Sequence, residues 1–177
     1  MRKMIIAAAT ALFIGGAGAM TFAVPAFAAT TGPTPVTVEI TGGGLAISVP
    51  AAADLGTTAA SPSAQTVTGS LGLVVVSVLR GGILGWVATA GSTSFTGSAG
   101  GTISAGTMTY TPGTAVVVGI ATVTPISLTA MTTPGTVQTA TAVTGVNTAT
   151  WDPSIGVLIP AGAVAGTYSA TVTHSVS

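Results

Sequence analysis

The chain has 177 residues, 48% of them hydrophobic and 3% charged, with three basic side chains, three acidic ones, one histidine and no cysteine. Neutralising several phosphates takes several Lys or Arg side chains, so a chain whose cations are Arg2, Lys3 and Arg80 is not an electrostatic nucleic-acid binder. The absence of cysteine excludes a disulfide framework, a thiolate nucleophile, a zinc knuckle and a lipid-bearing thiol.

Arg2 and Lys3 open the chain, an apolar stretch runs from Met4 to Val24, and Pro25-Ala26-Phe27-Ala28 sets small residues at Ala26 and Ala28 in an A-x-A arrangement. This is the pattern of a secretory signal peptide over residues 1–28. An uncleaved transmembrane anchor competes, because the run approaches the length that spans a bilayer. Gly15, Gly16 and Gly18 weaken such a helix, and Pro25 ends it just before the small-residue site. Cleavage leaves Arg80 as the one Lys or Arg, against Glu39, Asp54 and Asp152. The expected localisation is secreted and extracellular, with no membrane contact after cleavage. The closing Thr173-His174-Ser175-Val176-Ser177 carries no sorting-type signal, so the expected attachment to a cell envelope is non-covalent.

Residues 29–177 read as a single all-β domain. Val, Ile and Thr recur in short runs punctuated by Gly and Pro, and β-branched side chains pack well on a pleated surface while losing rotamer freedom in helices. Val36-Thr37-Val38-Glu39-Ile40 alternates apolar with polar, and Leu45-Ala46-Ile47-Ser48-Val49 does the same after Gly42-Gly43-Gly44, which predicts a hairpin. Residues 52–65 read as a loop. Further strands are predicted at Val67 to Leu79, Leu84 to Ala90, Met108 to Tyr110, Ala121 to Leu128, Val137 to Val143, Ile155 to Ile159 and Thr167 to Val176. Turns are expected at Gly97 to Gly101, Thr111-Pro112-Gly113, Thr133-Pro134-Gly135 and Gly145-Val146-Asn147. About nine short strands at this spacing predict an antiparallel β-sandwich. Leu71 to Leu79 is apolar at almost every position, as in a strand buried on both faces. Its second face is then covered by a long connection, by a partner chain or by nothing at all.

Little catalytic chemistry is available. A triad would need His174 beside a Ser hydroxyl and a carboxylate, and no spacing supports one. Glu39, Asp54 and Asp152 are too scattered to read as a metal site, and no Gly-rich loop precedes a Lys as in a phosphate-binding turn. No catalytic residue, cofactor or metal is expected. Neutral sugar binding stays open, since it can run on aromatic faces with Thr, Ser, Asn and Gln hydrogen bonds. The aromatic residues Trp86, Trp151, Tyr110, Tyr168 and Phe95 read either as core or as such faces. Arg80 reads as a solvated strand-end residue or as the partner of a carboxylate.

The stretch LGLVVVSVLRG from Leu71 to Gly81, then Gly85-Trp86-Val87-Ala88-Thr89 and Phe95-Thr96, resembles the first motif region of the WxL-type cell-surface domain of Gram-positive bacteria. Trp151-Asp152-Pro153, Val157-Leu158-Ile159-Pro160 and GAVAGTYSATVTHSVS are similar to that family's closing strands, and the likeness covers residues 37–177. The resemblance implies a secreted, non-enzymatic all-β domain that associates non-covalently with peptidoglycan or another cell-wall glycan, often within surface assemblies. It gives Trp86, Arg80 and His174 as candidate wall contacts. The first motif keeps its Trp in Trp86-Val87-Ala88 but not its Leu, the second reads His174-Ser175-Val176, and Val78 stands where the family commonly has an acidic residue ahead of Arg80-Gly81. The alternative is a structural or interaction subunit that meets other surface proteins, or further copies of itself, through Leu71 to Leu79. The leader gives a direct expectation: the exported protein begins at Ala29 by intact mass, whereas a full-length species fixed in the membrane overturns the cleavage site.

Overall fold

A computed structural model describes residues 35–177, and the leader expected at residues 1–28 lies outside the described residues. Residues 39–177 form one compact unit; of the other unit, residues 35–38 are described, form no helix or strand and are exposed. Among the described residues the fold is all-β and sandwich-like, with twelve strands in antiparallel sheets and one 3₁₀ turn at Ala105–Thr107. The first five strands are β1 (Leu45–Ser48), β2 (Gln65–Ser70), β3 (Val74–Val78), β4 (Trp86–Ser92) and β5 (Phe95–Gly97). They are followed by β6 (Thr102–Ile103), β7 (Thr109–Thr111), β8 (Val116–Pro125) and β9 (Gly135–Trp151). The last three are β10 (Ser154–Ile159), β11 (Tyr168–Ser169) and β12 (Val172–Val176).

The largest sheet is organised on the 17-residue β9. Its N-terminal half pairs with β4 (Trp86 opposite Ala140) and its C-terminal half with β3 (Val74 opposite Trp151), while β8 pairs along both halves on the other side. β1 then pairs with β3, and β12 with β4. Eleven residues of straight strand would separate Ala140 from Trp151 by about 37 Å. Yet the rings of Trp86, beside Ala140, and Trp151 are stacked at 6.4 Å with 15° between their planes. β9 therefore folds back through its middle and carries the sheet from one layer of the sandwich into the other, the usual way a strand turns a corner. The bend is marked by positive φ at Ala142 (50°) and Gly145 (69°) and by register shifts in the pairing with β8. Gly119 of β8 answers it with φ of 93°, and a Cβ there would come within 2.6 Å of the Val146 carbonyl oxygen.

The alternation read in the sequence has its cause in this packing. Val74, Val76 and Val78 of β3 are at most 1% exposed, and Val75 and Ser77 on the opposite face are half-buried. β3 lies between β1 and β9, so the apolar run has no free edge, and Leu73 and Leu79 at its ends are the exposed members. A second sheet, β2–β10–β7, contributes Ile155, Val157 and Tyr110 to the core, and a small third sheet, β11–β5–β6, carries Phe95 and Tyr168.

Four local expectations are corrected. Val36 to Ile40 does not pair with Leu45 to Val49: residues 35–44 form no strand, and β1 pairs with β3 instead. The glycines serve close approach rather than a turn, since Gly43 donates to the Leu79 carbonyl and a Cβ on Gly42 would strike the Arg80 carbonyl. Val67 to Leu79 is two strands in two sheets, switching at Gly72 with φ of 85°. Gly145-Val146-Asn147 lies inside β9, where Gly145 accommodates the bend rather than ending a strand. The strand count exceeds the expected nine because β5 and β6, two or three residues long, leave no periodic signal, and because Thr167 to Val176, like Val67 to Leu79, is two strands, β11 and β12, in two sheets; the strand that does not form at Val36 to Ile40 offsets one of these. Residues 52–64 contain no strand, and Gln65 begins β2.

The bend generates a pair of opposite expectations. Ala142→Gly removes a left-handed conformation costly for an L-residue and should raise stability by about 0.5–1 kcal/mol, while Gly145→Ala should lower it by about 1 kcal/mol although a Cβ there meets open space. Trp151→Ala, at the stack that closes the bend, should cost about 3–5 kcal/mol. Urea unfolding of the three variants checks the signs and the order.

Candidate functional site

The candidate contacts fall into two regions, one inside the sandwich and one at its surface. Trp86 is 2% exposed and Trp151 1%, so both sequence positions are core, and the reading of Trp86 as a partly exposed wall contact is corrected by the stack that covers its face. Tyr110 is fully buried, and its phenol oxygen accepts from the Trp151 indole N–H at 3.3 Å. The same oxygen lies 3.0 Å from His174 Nε2, with the two rings tilted at 59°. His174 is inward-facing and half-buried on β12, between Val172 and Val176, rather than a solvated strand residue.

Proton counting fixes the direction of this chain of bonds. The Tyr110 hydroxyl already accepts one bond in a fully buried site, so its own proton goes to His174 Nε2, which places the imidazole proton on Nδ1. Burial pushes the His174 pKa down from its ordinary value, and burial raises the Tyr110 phenol to about 12 despite the opposing bond from Trp151. The array is Trp–Tyr–His, a neutral chain of hydrogen bonds that ties β9, β7 and β12 together.

The two stretches that resemble the Trp-x-Leu motifs are brought together. Val176 pairs with Ala88 and His174 with Ala90 on the neighbouring strands β12 and β4, and Val87 and Ser177 exchange both backbone bonds, at 2.9 and 3.1 Å. Arg80 stands at the entrance to the first of them. Its guanidinium Nη2 donates to the carbonyls of Gly85, at 3.0 Å, and Leu84, so the half-buried side chain latches the loop leading into Trp86. It is thus neither a solvated strand-end residue nor the partner of a carboxylate. Asp152, next to Trp151, accepts from the Ser70 hydroxyl, and Leu71 N–H donates to the Pro153 carbonyl at 2.8 Å, tying the Trp-Asp-Pro turn to the end of β2.

The surface region is a cleft of about 510 Å³ between the 53–60 loop, β10 and the segment leading into β11. Ile103, Val157 and Ile159 line its floor, Phe95 and Tyr168 stand in its wall, and Asp54 is its one charged residue. Tyr168 is held by a bond from its hydroxyl to the Val164 carbonyl at 2.9 Å and by the absence of a side chain on its cross-strand partner Gly97, where a Cβ would come within 2.8 Å of the ring. The size is that of small-ligand sites. Sequence reasoning named Phe95 and Tyr168 as aromatic faces but did not bring them together, because the strands that pair them are too short to show a pattern. Among the described residues, no three His, Asp or Glu side chains come close enough to hold a metal ion, and no helix is long and apolar enough to cross a membrane.

No family model, curated protein or solved structure matches the chain.

The hydrogen-bond chain sets a pH dependence. The His174 pKa is lower in the folded than in the unfolded chain, so its contribution to stability is complete well above about 6.5 and is lost as pH falls through that value toward the folded pKa. Tyr110, raised to about 12, acts oppositely: its contribution is complete below its unfolded value of about 10 and is lost as pH rises from there. The melting temperature should decline between pH 7.5 and 5, and His174→Gln should flatten that decline; an equal slope in the variant would separate His174 from it.

Proposed function

We propose that this chain is a non-catalytic, exported cell-surface domain that associates non-covalently with peptidoglycan or a related wall glycan through neutral contacts. The observation that carries this reading is the cleft lined by Phe95 and Tyr168 together with Thr57, Thr58 and Thr167, with Asp54 as its one charged residue. Sugars present C–H faces and hydroxyls, and such a wall offers ring faces and neutral hydrogen-bonding groups in return. The resemblance to the WxL-type domain and the signal-peptide pattern support the same reading. The contact residues move with the geometry: Trp86 and His174 shape the interior, and Phe95 and Tyr168 take the role of glycan contacts. The apolar run Leu71 to Leu79 is less suited to an interface, because its central strand is flanked on both edges.

Such a contact is short-ranged and is not screened as exposed charge pairs are. With purified cell walls, the protein should pellet and stay bound in about 1 M sodium chloride, where the Debye length is about 3 Å. Removing both rings with Phe95→Ala and Tyr168→Ala should weaken binding about tenfold or more, because each ring contributes on the order of 1 kcal/mol. Failure to pellet ends the wall-binding reading, and release by moderate salt shows the force to be electrostatic.

A further inference from the structure

Two exposed features of this chain are complementary. β8 is ten residues long, pairs on one side with β9, and among the described residues has no strand on its other side. Its outward face presents Val116 and Val118 at 70% exposure and Ile120 at 62%, and it carries no charged residue to discourage another strand. The second feature is the segment Val36-Thr37-Val38-Glu39-Ile40. It has the alternation of a strand, pairs with nothing among the described residues, and exposes Val36, Val38 and Ile40 at 87–88%. An alternating strand without a sheet and a sheet edge without a strand satisfy each other by main-chain hydrogen bonding and side-chain contact, the physics of strand addition.

The donor and the acceptor belong to different copies. β1 follows the donor segment directly, and the row Leu45, Val78, Asn147 on β1, β3 and β9 leads to β8 near Val118. The free position beyond β8 is thus four strand spacings from β1, about 19 Å. Gly43 is fixed by its bond to the Leu79 carbonyl, and the three residues from it back to Ile40 span at most about 10 Å. A chain cannot lay this segment on its own β8 without giving up that anchor.

We propose that residues Val36–Ile40 of one copy add as a strand to the free edge of β8 in a second copy, with Val36, Val38 and Ile40 beside Val116, Val118 and Ile120. Donor and acceptor are different surfaces of the same chain, so the contact is head-to-tail and repeats, giving open chains of molecules rather than a closed dimer. The inference goes beyond wall binding and does not depend on it, because it uses neither Phe95 nor Tyr168.

The natural chain has no cysteine, so introduced thiols report contacts without background. Exported protein carrying Val38→Cys is mixed with exported protein carrying Val116→Cys, Val118→Cys or Ile120→Cys and oxidised. All four sites are exposed, so the variants should fold. The expected result is a disulfide-linked heterodimer with at least one acceptor variant, in excess of either homodimer. In Val38→Cys/Val118→Cys double variants the product should be a ladder of multimers. A monomer closed by an internal disulfide, homodimers linked through β8 alone, or no heterodimer at any of the three positions overturns the proposal. Light scattering gives an independent reading: the mean mass of the unsubstituted protein should rise with concentration, and Val118→Lys should return it to that of one chain with an unchanged circular dichroism spectrum. A constant single-chain mass up to about 1 mM, or a Val118→Lys mass equal to that of the natural chain, also overturns it.

Discussion

The bend in β9 is the constraint on which the rest of the structure depends. One strand supplies partners to β3, β4 and β8, and its passage from layer to layer places Trp86 against Trp151. A straight β9 would leave two half-sheets without a common core, each with an apolar face turned to water. The stack supplies two of the largest buried side chains in a domain whose other core residues are mostly Val and Ala, so the closing of the bend and the filling of the core are the same event. The left-handed residues at Ala142 and Gly145 and the glycine at 119 are the local conformations through which that event is reached.

Tyr110 extends the same closure to the end of the chain. Its backbone belongs to the second sheet, where it pairs with Ile155 and bonds in both directions to Leu128, while its phenol reaches Trp151 on β9 and His174 on β12. Three segments distant in sequence therefore share one chain of hydrogen bonds in which the Trp151 indole and Tyr110 phenol protons each have an acceptor. Such a chain works only while the imidazole is neutral: a second imidazole proton, on Nε2, would oppose the Tyr110 hydroxyl and leave it without an acceptor. The lone histidine thus acts through its uncharged form, in keeping with a domain built almost without charge.

The fold class was legible because it rests on short-range signals, the alternation of Val and Thr and the Gly and Pro breaks between runs. The corner was not. Trp86 and Trp151 stand 65 positions apart in the sequence, and nothing local states that they stack. Gly145-Val146-Asn147 carries turn residues because the strand bends there, so a correct local signal supported a wrong boundary at the end of a strand. Gly42-Gly43-Gly44 shows the same ambiguity: glycine marks tight turns and close backbone approach alike, and only the position of Leu79 distinguishes them. At the candidate site, the aromatic residue types could be read, but which rings are covered is decided by the sheet. The stack takes Trp86 inward, and the Gly97 partner leaves room for Tyr168 at the surface.

Low charge also has a consequence for the edges of the sheets. Lysine or an inward-facing charge is a common guard on a free strand, and this sequence has neither on β8; what it has is a glycine bulge in the middle and Pro125 at the end. A bulge twists an edge without removing its unpaired amides, and three exposed branched side chains remain beside them. The free edge and the unpaired strand segment before β1 would each favour indiscriminate association if left uncovered, and their alternation and length allow one to cover the other. Such cover would turn two separate liabilities into one directional contact and would give the strand periodicity of Val36, Val38 and Ile40 a use in a segment that pairs with nothing among the described residues.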